Sequence, residues 1–493
     1  MKKAGSTMQY KIHGYEPERL FQNFEDFSAV PRGSFRNEKI SAFLVQFAEE
    51  HGLDVYQDDA LNVIIKKPGQ NGGEDKPPVI LQGHMDMVCE KVKGCDHDFE
   101  NEGIDMVVTD DGWLTANGTT LGGDDGIADA MMMTLLEDSS LAHPPLECVF
   151  TTDEEVGLLG AAALDYDKLD GRLMINLDSE DEGIATVSCA GGMDVLLKRP
   201  VLCEYGSGYV VSMEVTGLLG GHSGTDIGLE RINAAKLLAR AMHRALAHPW
   251  TCLSEFSAGS AGNAIPREGL AGIFTEREET ADAVETELRE LADQFYREIS
   301  PVEPDIRVTV RKEYREDADY LVEGEGELLV DAILLSPNGV FHRDPSLGDF
   351  ILTSVNLGIV SIEDDTAKLL FCPRSSVDSL MEELLDLLYL TAETFDFSVE
   401  ESGQYPGWER VEDSRLVETM KKSYEELFGE ELKVEGIHAG LECGLFVANL
   451  PGLDPVSIGP TMRGVHTPDE KMDLASCERT YRLVADVLAR LSE

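Results

Sequence analysis

The sequence has few basic residues. Lys and Arg number 41 against 93 Asp and Glu in 493 residues, which gives a formal net charge of −52. Because phosphate binding requires a basic face, this balance argues against a nucleic-acid-binding protein and disfavours adsorption to an anionic membrane. No stretch approaches the roughly 18 consecutive apolar residues of a membrane-spanning helix. The N-terminal segment MKKAGSTMQYKIHGYEPE has no apolar run behind its lysines, so no secretory signal peptide is expected.

Cysteines are few, scattered and odd in number: there are nine, and none forms a CxxC pair. In a chain of this length they are typical of reduced thiols, so a cytoplasmic location is expected. The hydrophobic content of 42% is sufficient for sizeable cores and excludes a largely disordered chain. At about 100–200 residues per domain, the length predicts two to four domains.

Hydrophobic periodicity predicts alternating helices and strands in the N-terminal part. A helix is expected over residues 16–50, with Gly52 as its stop, and GIADAMMMTLLED predicts a buried helix over 126–138. Short apolar runs predict strands. These runs lie at 61–67, 77–84, 146–152 and 172–178. The alternation indicates an α/β layer with both faces covered.

The pattern changes after CAGGMD (189–194). From Val210 apolar and polar residues alternate as in a half-exposed antiparallel strand, and helices and strands then follow in an order that occurs twice. The α/β character returns near residue 405. The simplest interpretation is a discontinuous catalytic domain, residues 1–193 and 401–493, interrupted by an inserted domain over 194–400 with two similar halves.

Side chains that can bind metal ions follow several of the predicted strands. Open α/β sheets place their sites outside the carboxyl ends of strands, so one sheet edge is expected to collect these groups. The side chains are His84, Asp86, Glu154, Glu155, Asp178 and His466, with Asp124 before a helix.

Imidazole and carboxylate ligands suit zinc or another divalent first-row ion. The gaps between these residues are too long for a helical HExxH site and fit a site assembled by the fold. A carboxylate shared by two ions holds them about 3.5–4 Å apart. Asp124 is the natural bridging ligand, because it lies between the two sets of candidate metal ligands.

Each feature also has a simpler interpretation. An HxD pair is most often an ordinary surface or core pair, and adjacent glutamates are most often a solvated charge run. Asp124 and Asp125 follow two glycines and are typical of a turn with a helix N-cap, while His466 before Thr-Pro is typical of a loop. The coincidence of all these groups at the ends of buried strands favours the metal-site hypothesis.

The ordered motifs of the chain resemble those of the aminoacylhistidine dipeptidases, also called Xaa-His or cytosol non-specific dipeptidases. These enzymes belong to the two-zinc peptidases that include acetylornithine deacetylase and the glutamate-releasing carboxypeptidase. The resemblance runs from about residue 31 to the C-terminus. The motifs are GHMDMV, LGGDDGIADA, TTDEEVG, NLDSE, CAGG, GGHSG, IPRE, PRSSVDS, HAGLECG and GPTMRGVHTPDE.

The resemblance implies an α/β catalytic domain with a mixed, mostly parallel sheet and a large inserted α+β lid. It also implies two Zn²⁺ ions per chain, for which Mn²⁺ or Co²⁺ can substitute. His84, Asp124 and Asp178 would hold one ion, and Asp124, Glu155 and His466 the other.

The resemblance further implies that Asp86 orients His84 from behind, which agrees with their positions two apart on one strand face. Glu154 would be the general base for the attacking water. Relatives commonly have Asn where this chain has Asp125. The extra carboxylate is expected either to disturb the charge balance of the site or to point away. Relatives also carry a cis peptide bond here, so the Asp124–Asp125 bond is predicted to be cis.

In the insert, the resemblance implies that His222 polarises the scissile carbonyl and that Asn263, Arg374 and the backbone at Gly440 bind the substrate. Without the resemblance, His222 is typical of a lone histidine in a Gly-rich turn, and Arg374 is typical of a surface cation paired with a carboxylate. A guanidinium fork also suits the terminal carboxylate of a dipeptide.

These roles imply a metal-dependent dipeptidase for unblocked dipeptides such as Xaa-His. Its partner would be a small dipeptide, with no nucleic acid and no membrane, and it would act as a monomer or homodimer. An amidase, deacylase or carboxypeptidase acting on N-acylated amino acids would have the same metal site. An inactive metal-binding scaffold is disfavoured because Glu154 and every candidate ligand are present. A two-metal phosphatase lacks an obvious basic pocket.

Overall fold

A computed structural model describes residues 10–493, which form both helices and strands. The helices are α1 (Glu18–Ser28), α2 (Glu38–His51), α3 (Gly123–Glu137), α4 (Leu159–Ala163), α5 (Ala234–Ala245), α6 (Glu278–Ile299), α7 (Glu325–Leu335), α8 (Asp378–Phe395), α9 (Arg415–Phe428), α10 (Glu442–Asn449) and α11 (Leu474–Ser492).

The strands are short in the first third of the chain and longer in its middle. They are β1 (Asp54–Gln57), β2 (Val63–Lys67), β3 (Val79–His84), β4 (Met106–Val108), β5 (Trp113–Ala116), β6 (Leu146–Thr151), β7 (Leu173–Asn176), β8 (Ile184–Cys189), β9 (Gly191–Pro200), β10 (Cys203–Thr216), β11 (Gly221–His222), β12 (Cys252–Ala258), β13 (Ala264–Ile265), β14 (Gly269–Thr275), β15 (Arg307–Leu321), β16 (Gly339–Asp344), β17 (Phe350–Glu363), β18 (Thr366–Ser375), β19 (Ser398–Tyr405), β20 (Lys433–Ile437), β21 (Asp454–Ser457), β22 (Met462–Arg463) and β23 (Lys471–Asp473).

The chain divides into two compact units. The first contains the residues up to Ser188 together with 408–436 and 441–493, and the second contains 189–407 and 437–440. The sequence placed the boundaries after residues 193 and 400 and kept 437–440 in the catalytic domain. The backbone N–H of Ala190 donates to the carbonyl oxygens of Ile437 and Ala439, at 3.2 and 3.1 Å, which attaches that short segment to the start of the second unit.

The first unit is built on an eight-stranded sheet in the order β1-β2-β6-β3-β7-β21-β8-β20. The central strands β6, β3, β7 and β21 are parallel, while β1 and β2 pair antiparallel at one edge. Strand β3 is buried along its whole length, because α3 packs on it and α1 packs on α3. This confirms the predicted α/β fold with a mixed sheet.

Helix α3 is buried on all sides from Gly123 to Leu136, as its continuous apolar sequence predicts. The single helix predicted over 16–50 is wrong: α1 and α2 are separated by residues 29–37. The PRG sequence (31–33) explains the break, because proline disfavours helical backbone at the preceding residue and lacks an N–H. Gly52 ends α2 with φ of 66°, as predicted.

The second unit is built on an antiparallel sheet in the order β15-β10-β14-β12-β17-β18-β9-β19, with β16 on β17. Its two halves repeat one arrangement. Strands β10, β12, β14 and β15 with α5 and α6 form one half, and β9, β17, β18 and β19 with α7 and α8 form the other. The halves meet where β12 pairs with β17.

The core of the second unit lies between this sheet and its helices. Val284, Leu288, Leu291 and Phe295 form a buried stripe on α6, at the spacing of one helix face. Leu388 of α8 belongs to the same hydrophobic core. Burial of these faces stabilises both halves of the sheet.

Within residues 10–493, no helix combines the length and apolar character required to cross a membrane. None of the nine cysteines forms a disulfide bond in this part of the chain.

Candidate metal centre

The candidate ligands of the first unit lie at one end of its parallel strands. His84 is the last residue of β3, Glu154 and Glu155 follow β6, and Asp178 follows β7. Because β6, β3 and β7 are neighbours that run in the same direction, their carboxyl ends meet at one edge of the sheet.

Asp124 lies between two histidines. Its Oδ1 is 2.9 Å from Nε2 of His84, and its Oδ2 is 3.1 Å from Nε2 of His466. Each carboxylate oxygen therefore faces a different imidazole, as a bridging ligand requires. The Asp124–Asp125 peptide bond is cis, which confirms the prediction.

Three groups of side chains place ligand atoms within 4.8 Å of one another. His84, Asp124 and Asp178 form the first group, Asp124, Glu155 and His466 form the second, and His84, Glu154 and Glu155 form the third. Oε2 of Glu155 is 2.9 Å from Nε2 of His466. The first two groups are the sets that the family resemblance implies.

The electrostatics of this cluster fit divalent cations. Burial raises the pKa of Asp178, and hydrogen bonds to Asp124 and Glu155 raise the pKa of His466 to about 11. Oε1 of Glu155 is buried without a hydrogen-bond partner among the described residues. A cluster with more carboxylates than imidazoles requires added positive charge, and divalent ions supply it.

Asp86 lies behind His84. Its Oδ1 is 3.4 Å from Nδ1 of the ring, so the ring presents Nε2 to Asp124. Asp86 also accepts hydrogen bonds from Oγ of Ser34 at 2.8 Å and from the backbone N–H of Glu154 at 3.0 Å. Burial works against its charge, but these contacts lower its pKa. Sequence reasoning did not identify the contact from Ser34.

Glu154 and Glu155 have different surroundings although they are adjacent. Glu155 faces His466, whereas Oε2 of Glu154 is 4.0 Å from Nε2 of His84. Burial raises the pKa of Glu154 to about 8, and nearby carboxylates, that of Glu442 among them, add to this rise. A carboxyl group with a pKa near neutrality is suited to both accepting and donating a proton.

Asp125 does not belong to any of the three groups. Its side chain is fully buried, and its Oδ2 accepts a weak hydrogen bond of 3.3 Å from the backbone N–H of His84. Burial and the Asp178 carboxylate raise the pKa of Asp125 well above its ordinary value, which favours its neutral form. It therefore contacts the strand end that carries His84 and adds no ligand atom.

In the second unit, His222 lies on β11, which pairs with β13. Its Nδ1 accepts hydrogen bonds from the backbone N–H groups of Gly224 and Thr225, at 3.3 and 3.2 Å. Burial and the nearby Arg374 lower the pKa of His222. The neutral ring therefore carries its proton on Nε2, and that nitrogen is a hydrogen-bond donor.

Arg374 is 5% exposed, so it is not the surface cation of the simpler interpretation. Its guanidinium donates to the hydroxyl of Tyr405 at 2.6 Å and to Oγ of Ser223 at 3.4 Å. No carboxylate forms an ion pair with it in the described part of the chain. A buried cation with only neutral partners is suited to an anionic ligand.

Asn263 and Gly440 lie near these groups within the second unit. The carbonyl oxygen of Asn263 accepts a hydrogen bond from the backbone N–H of Ser223 at 2.8 Å. A Cβ atom at Gly440 would lie 2.8 Å from the ring of Tyr405, so only glycine fits there without a shift. Tyr405, which sequence reasoning missed, thus contacts both Gly440 and Arg374.

Asn356 was also missed. Its side-chain amide donates to the carbonyl oxygens of Gly262 and Ala264, at 3.0 and 2.9 Å, on either side of Asn263. Ala264 pairs with His222 in the β11–β13 ladder. Asn356 therefore fixes the backbone that carries Asn263 and supports the strand of His222.

Comparison with known proteins identifies the family of the chain. Residues 80–490 match the model of Peptidase family M20/M25/M40. A cytosol non-specific dipeptidase of Escherichia coli is 32% identical over 477 residues, which cover 96% of this chain and 98% of that protein.

Solved structures agree as well. An aminoacylhistidine dipeptidase from Vibrio alginolyticus has a TM-score of 0.89 and 34% identity, with 96% of each chain covered. The aminopeptidase PepT from Bacillus cereus, at 16% identity and a TM-score of 0.56, covers 97% of this chain and 100% of that one and shares the fold. The family resemblance seen in the motifs is thereby confirmed, and the chain belongs to the M20/M25/M40 peptidase family.

Proposed function

We propose that the protein is a dipeptidase that hydrolyses unblocked dipeptides, including those that end in histidine, with the help of two zinc ions. The position of Asp124 between His84 and His466 carries this proposal, because a carboxylate shared by two imidazole sites is the arrangement that a pair of ions needs. The dipeptidase names of the relatives from Escherichia coli and Vibrio alginolyticus support the substrate class.

One ion would be held by His84, Asp124 and Asp178, and the other by Asp124, Glu155 and His466. When bound, such ions lower the pKa of water toward about 7 and polarise a carbonyl group. Mn²⁺ and Co²⁺ accept the same ligands and can substitute.

Glu154 acts as the general base in this proposal. It takes a proton from the attacking water and delivers it to the amine that leaves when the peptide bond breaks. Burial raises its pKa, which favours uptake of that proton. Asp86 positions this base, because it holds the backbone N–H of Glu154 as well as the ring of His84.

His222 stabilises the developing negative charge on the carbonyl oxygen. Its Nδ1 is engaged by backbone N–H groups, so its Nε2–H remains as the donor for that oxygen. In this role His222 donates a hydrogen bond without taking up a proton.

Arg374 binds the terminal carboxylate of the substrate, while Asn263 and the backbone at Gly440 bind its peptide portion. Within the described residues the buried guanidinium has no carboxylate partner, so it gains most from an anionic ligand. Because the carboxylate of a dipeptide lies one residue beyond the scissile bond, this contact selects substrates by length. We infer a cytoplasmic location from the cytosolic name of the Escherichia coli relative.

The test is a substrate screen with metal-free protein that has been reloaded with Zn²⁺, Mn²⁺ or Co²⁺. Dipeptides ending in histidine and other dipeptides should be cleaved, tripeptides and N-acetyl amino acids should be poor substrates, and the metal-free protein should be inactive. Preferential release of acetate from N-acetyl amino acids would replace the dipeptidase proposal with a deacylase. A reloaded protein that is inactive on every substrate would indicate a metal-binding scaffold.

A further inference from the structure

Glu470 has a buried carboxylate that takes no part in the proposed reaction but accepts several backbone hydrogen bonds. Glu470 is 2% exposed and lies four residues after His466. Its Oε2 accepts from the N–H groups of Leu121 and Gly122, at 2.7 and 3.0 Å. Its Oε1 accepts from the N–H groups of Gly123 and Asp124, at 2.8 and 3.4 Å. One carboxylate therefore holds four successive backbone donors.

These four donors belong to the turn that carries Asp124 into α3. Gly122 adopts φ of 67°, and Asp124 has ψ of 109°, so the backbone here is not yet helical. The first N–H groups of a helix have no partner within it, and a carboxylate is a favourable acceptor for them. Glu470 satisfies these donors and fixes the conformation of the turn.

The other end of Glu470 is anchored to the segment of His466. The backbone N–H of Glu470 donates to the carbonyl oxygen of Thr467 at 3.0 Å, and its own carbonyl oxygen accepts from Oγ1 of Thr115 at 2.7 Å. Strands β22 and β23 pair on either side of this segment. Glu470 therefore connects the loop of one histidine ligand to the turn of the bridging aspartate.

Arg32 holds the same turn through a carbonyl group. Its guanidinium donates to the carbonyl oxygen of Gly122, and also to those of Met85 and Asp86, at 3.3 and 3.0 Å. Met85 and Asp86 directly follow His84. The turn is thus held through its N–H groups by the buried carboxylate of Glu470 and through a carbonyl group by the buried guanidinium of Arg32.

We propose that Glu470 is a positioning residue of the metal centre. It fixes the turn at residues 121–124 so that the two oxygens of Asp124 face His84 and His466 before any ion binds. Preorganised ligands bind an ion more tightly than mobile ones, because less conformational freedom is lost on binding. This inference rests on the proposed two-ion centre.

The experiment is a titration of metal-free protein with Co²⁺, followed by its visible absorption, in wild type and Glu470→Gln. A glutamine has one acceptor oxygen, and its NH₂ group would face backbone N–H groups that it cannot accept from. We expect affinity for at least one ion to fall at least tenfold and the Co²⁺ spectrum to change. Glu470→Asp keeps the charge but has a shorter side chain, so it should also bind Co²⁺ more weakly. This variant provides the test if Glu470→Gln does not fold.

Glu25→Gln is the matched control. Glu25 is also 2% exposed, and its carboxylate accepts from the backbone N–H groups of Lys11 and Ile12 in the same unit. Glu25→Gln should lower the thermal stability without changing the affinity for Co²⁺ or the Co²⁺ spectrum. Wild-type affinity and spectrum in the Glu470 variants, or equal weakening by Glu25→Gln, would overturn the role of Glu470. A wild-type protein that binds fewer than two ions would overturn the two-ion centre and this inference together.

Discussion

Nδ1 of His84 lies 3.4 Å from Oδ1 of Asp86, and this contact leaves Nε2 of the ring facing Asp124. A carboxylate behind a metal-binding imidazole fixes the orientation of the ring and increases its basicity. Asp86→Asn removes the negative charge from this position. We expect zinc affinity or activity to fall by about 10–100-fold.

The measurement is zinc affinity by competition with a chromophoric chelator. Ser34→Ala is the control, because it removes one hydrogen bond to Asp86 and leaves the carboxylate in place. Its effect should be clearly smaller. Unchanged zinc affinity and activity in Asp86→Asn would show that this carboxylate does not support His84.

Glu154 and Glu155 allow a base to be distinguished from a ligand. Glu154→Gln keeps the size of the side chain but cannot accept the proton of water, so kcat should fall by about 10²–10⁴-fold while metal content stays unchanged. Glu155→Gln weakens the group that faces His466, and metal content should fall. The check is elemental analysis of both variants beside their activity. A loss of metal in Glu154→Gln with full metal in Glu155→Gln would reverse the two roles.

The hydrogen bonds to Nδ1 of His222 predict the order of kcat values among variants at this position. Gln places an amide donor near the position of Nε2, whereas Asn keeps an acceptor for the backbone N–H groups but has no donor at the far side of the ring. We expect His222→Asn and His222→Ala to lower kcat by about 10²–10³-fold, and His222→Gln to retain more activity. Metal content should not change in any of them. Equal kcat in the Asn and Gln variants would mean that Nε2–H is not the group that acts.

The fold was predictable where burial is strong. Strand β3 and helix α3 carry continuous apolar runs because helices cover both, and these runs identify them in the sequence. Strand β19, with the sequence SVEESGQY, is mostly exposed and has no such signal, since its formation depends on pairing with β9. Helix α11 was not predicted, although Asp473 caps it and its buried residues have helical spacing.

The candidate ligands were predictable because each lies in a motif beside a strand or helix. Asp86 was predictable as well, because it lies two residues after His84. The other residues that support the site were not, because each acts through contacts with distant parts of the chain. Glu470 binds backbone groups some 350 residues earlier, and Asn356 binds the carbonyl groups of Gly262 and Ala264, more than 90 residues earlier. Backbone partners leave no residue-type signal, so a sequence without its fold does not reveal such contacts.

His438 predicts a pH dependence of stability. It is 6% exposed, and its Nε2 is 2.7 Å from Oγ of Ser354. Burial and the nearby charge of Arg374 lower its pKa from 6.5 to about 3. Between these two pH values the unfolded chain binds more protons than the folded one. The contribution of neutral His438 to the free energy of unfolding is therefore complete above pH 6.5 and is lost as the pH falls toward 3.

Replacing His438 by Gln should therefore reduce the drop in melting temperature between pH 7 and pH 5. The check is calorimetry of wild type and variant at both pH values. Ser354→Ala is the control, because it removes the hydrogen-bond partner of His438 and leaves the buried imidazole in place, so the drop should persist. An equal drop in wild type and His438→Gln would exclude His438 as a source of acid sensitivity.

Arg374 should determine that the substrate carries a free carboxylate. Its guanidinium is buried, donates to the hydroxyls of Tyr405 and Ser223, and forms no ion pair within residues 10–493, so a substrate carboxylate would be its charged partner. Loss of this contact in Arg374→Met should cost about 2–4 kcal/mol in kcat/KM for a dipeptide, because a charge-assisted hydrogen bond is lost and the carboxylate is left unpaired. The loss should be much smaller for the dipeptide amide, which has no carboxylate.

The measurement is kcat/KM for a dipeptide and its C-terminal amide, in wild type and in Arg374→Met. Tyr405→Phe is a useful companion, since it removes one neutral partner of the guanidinium and keeps the charge. It should affect both substrates less than Arg374→Met affects the dipeptide. If Arg374→Met lowers kcat/KM by the same factor for both substrates, Arg374 has a structural role, and the selection of substrate length depends on other residues.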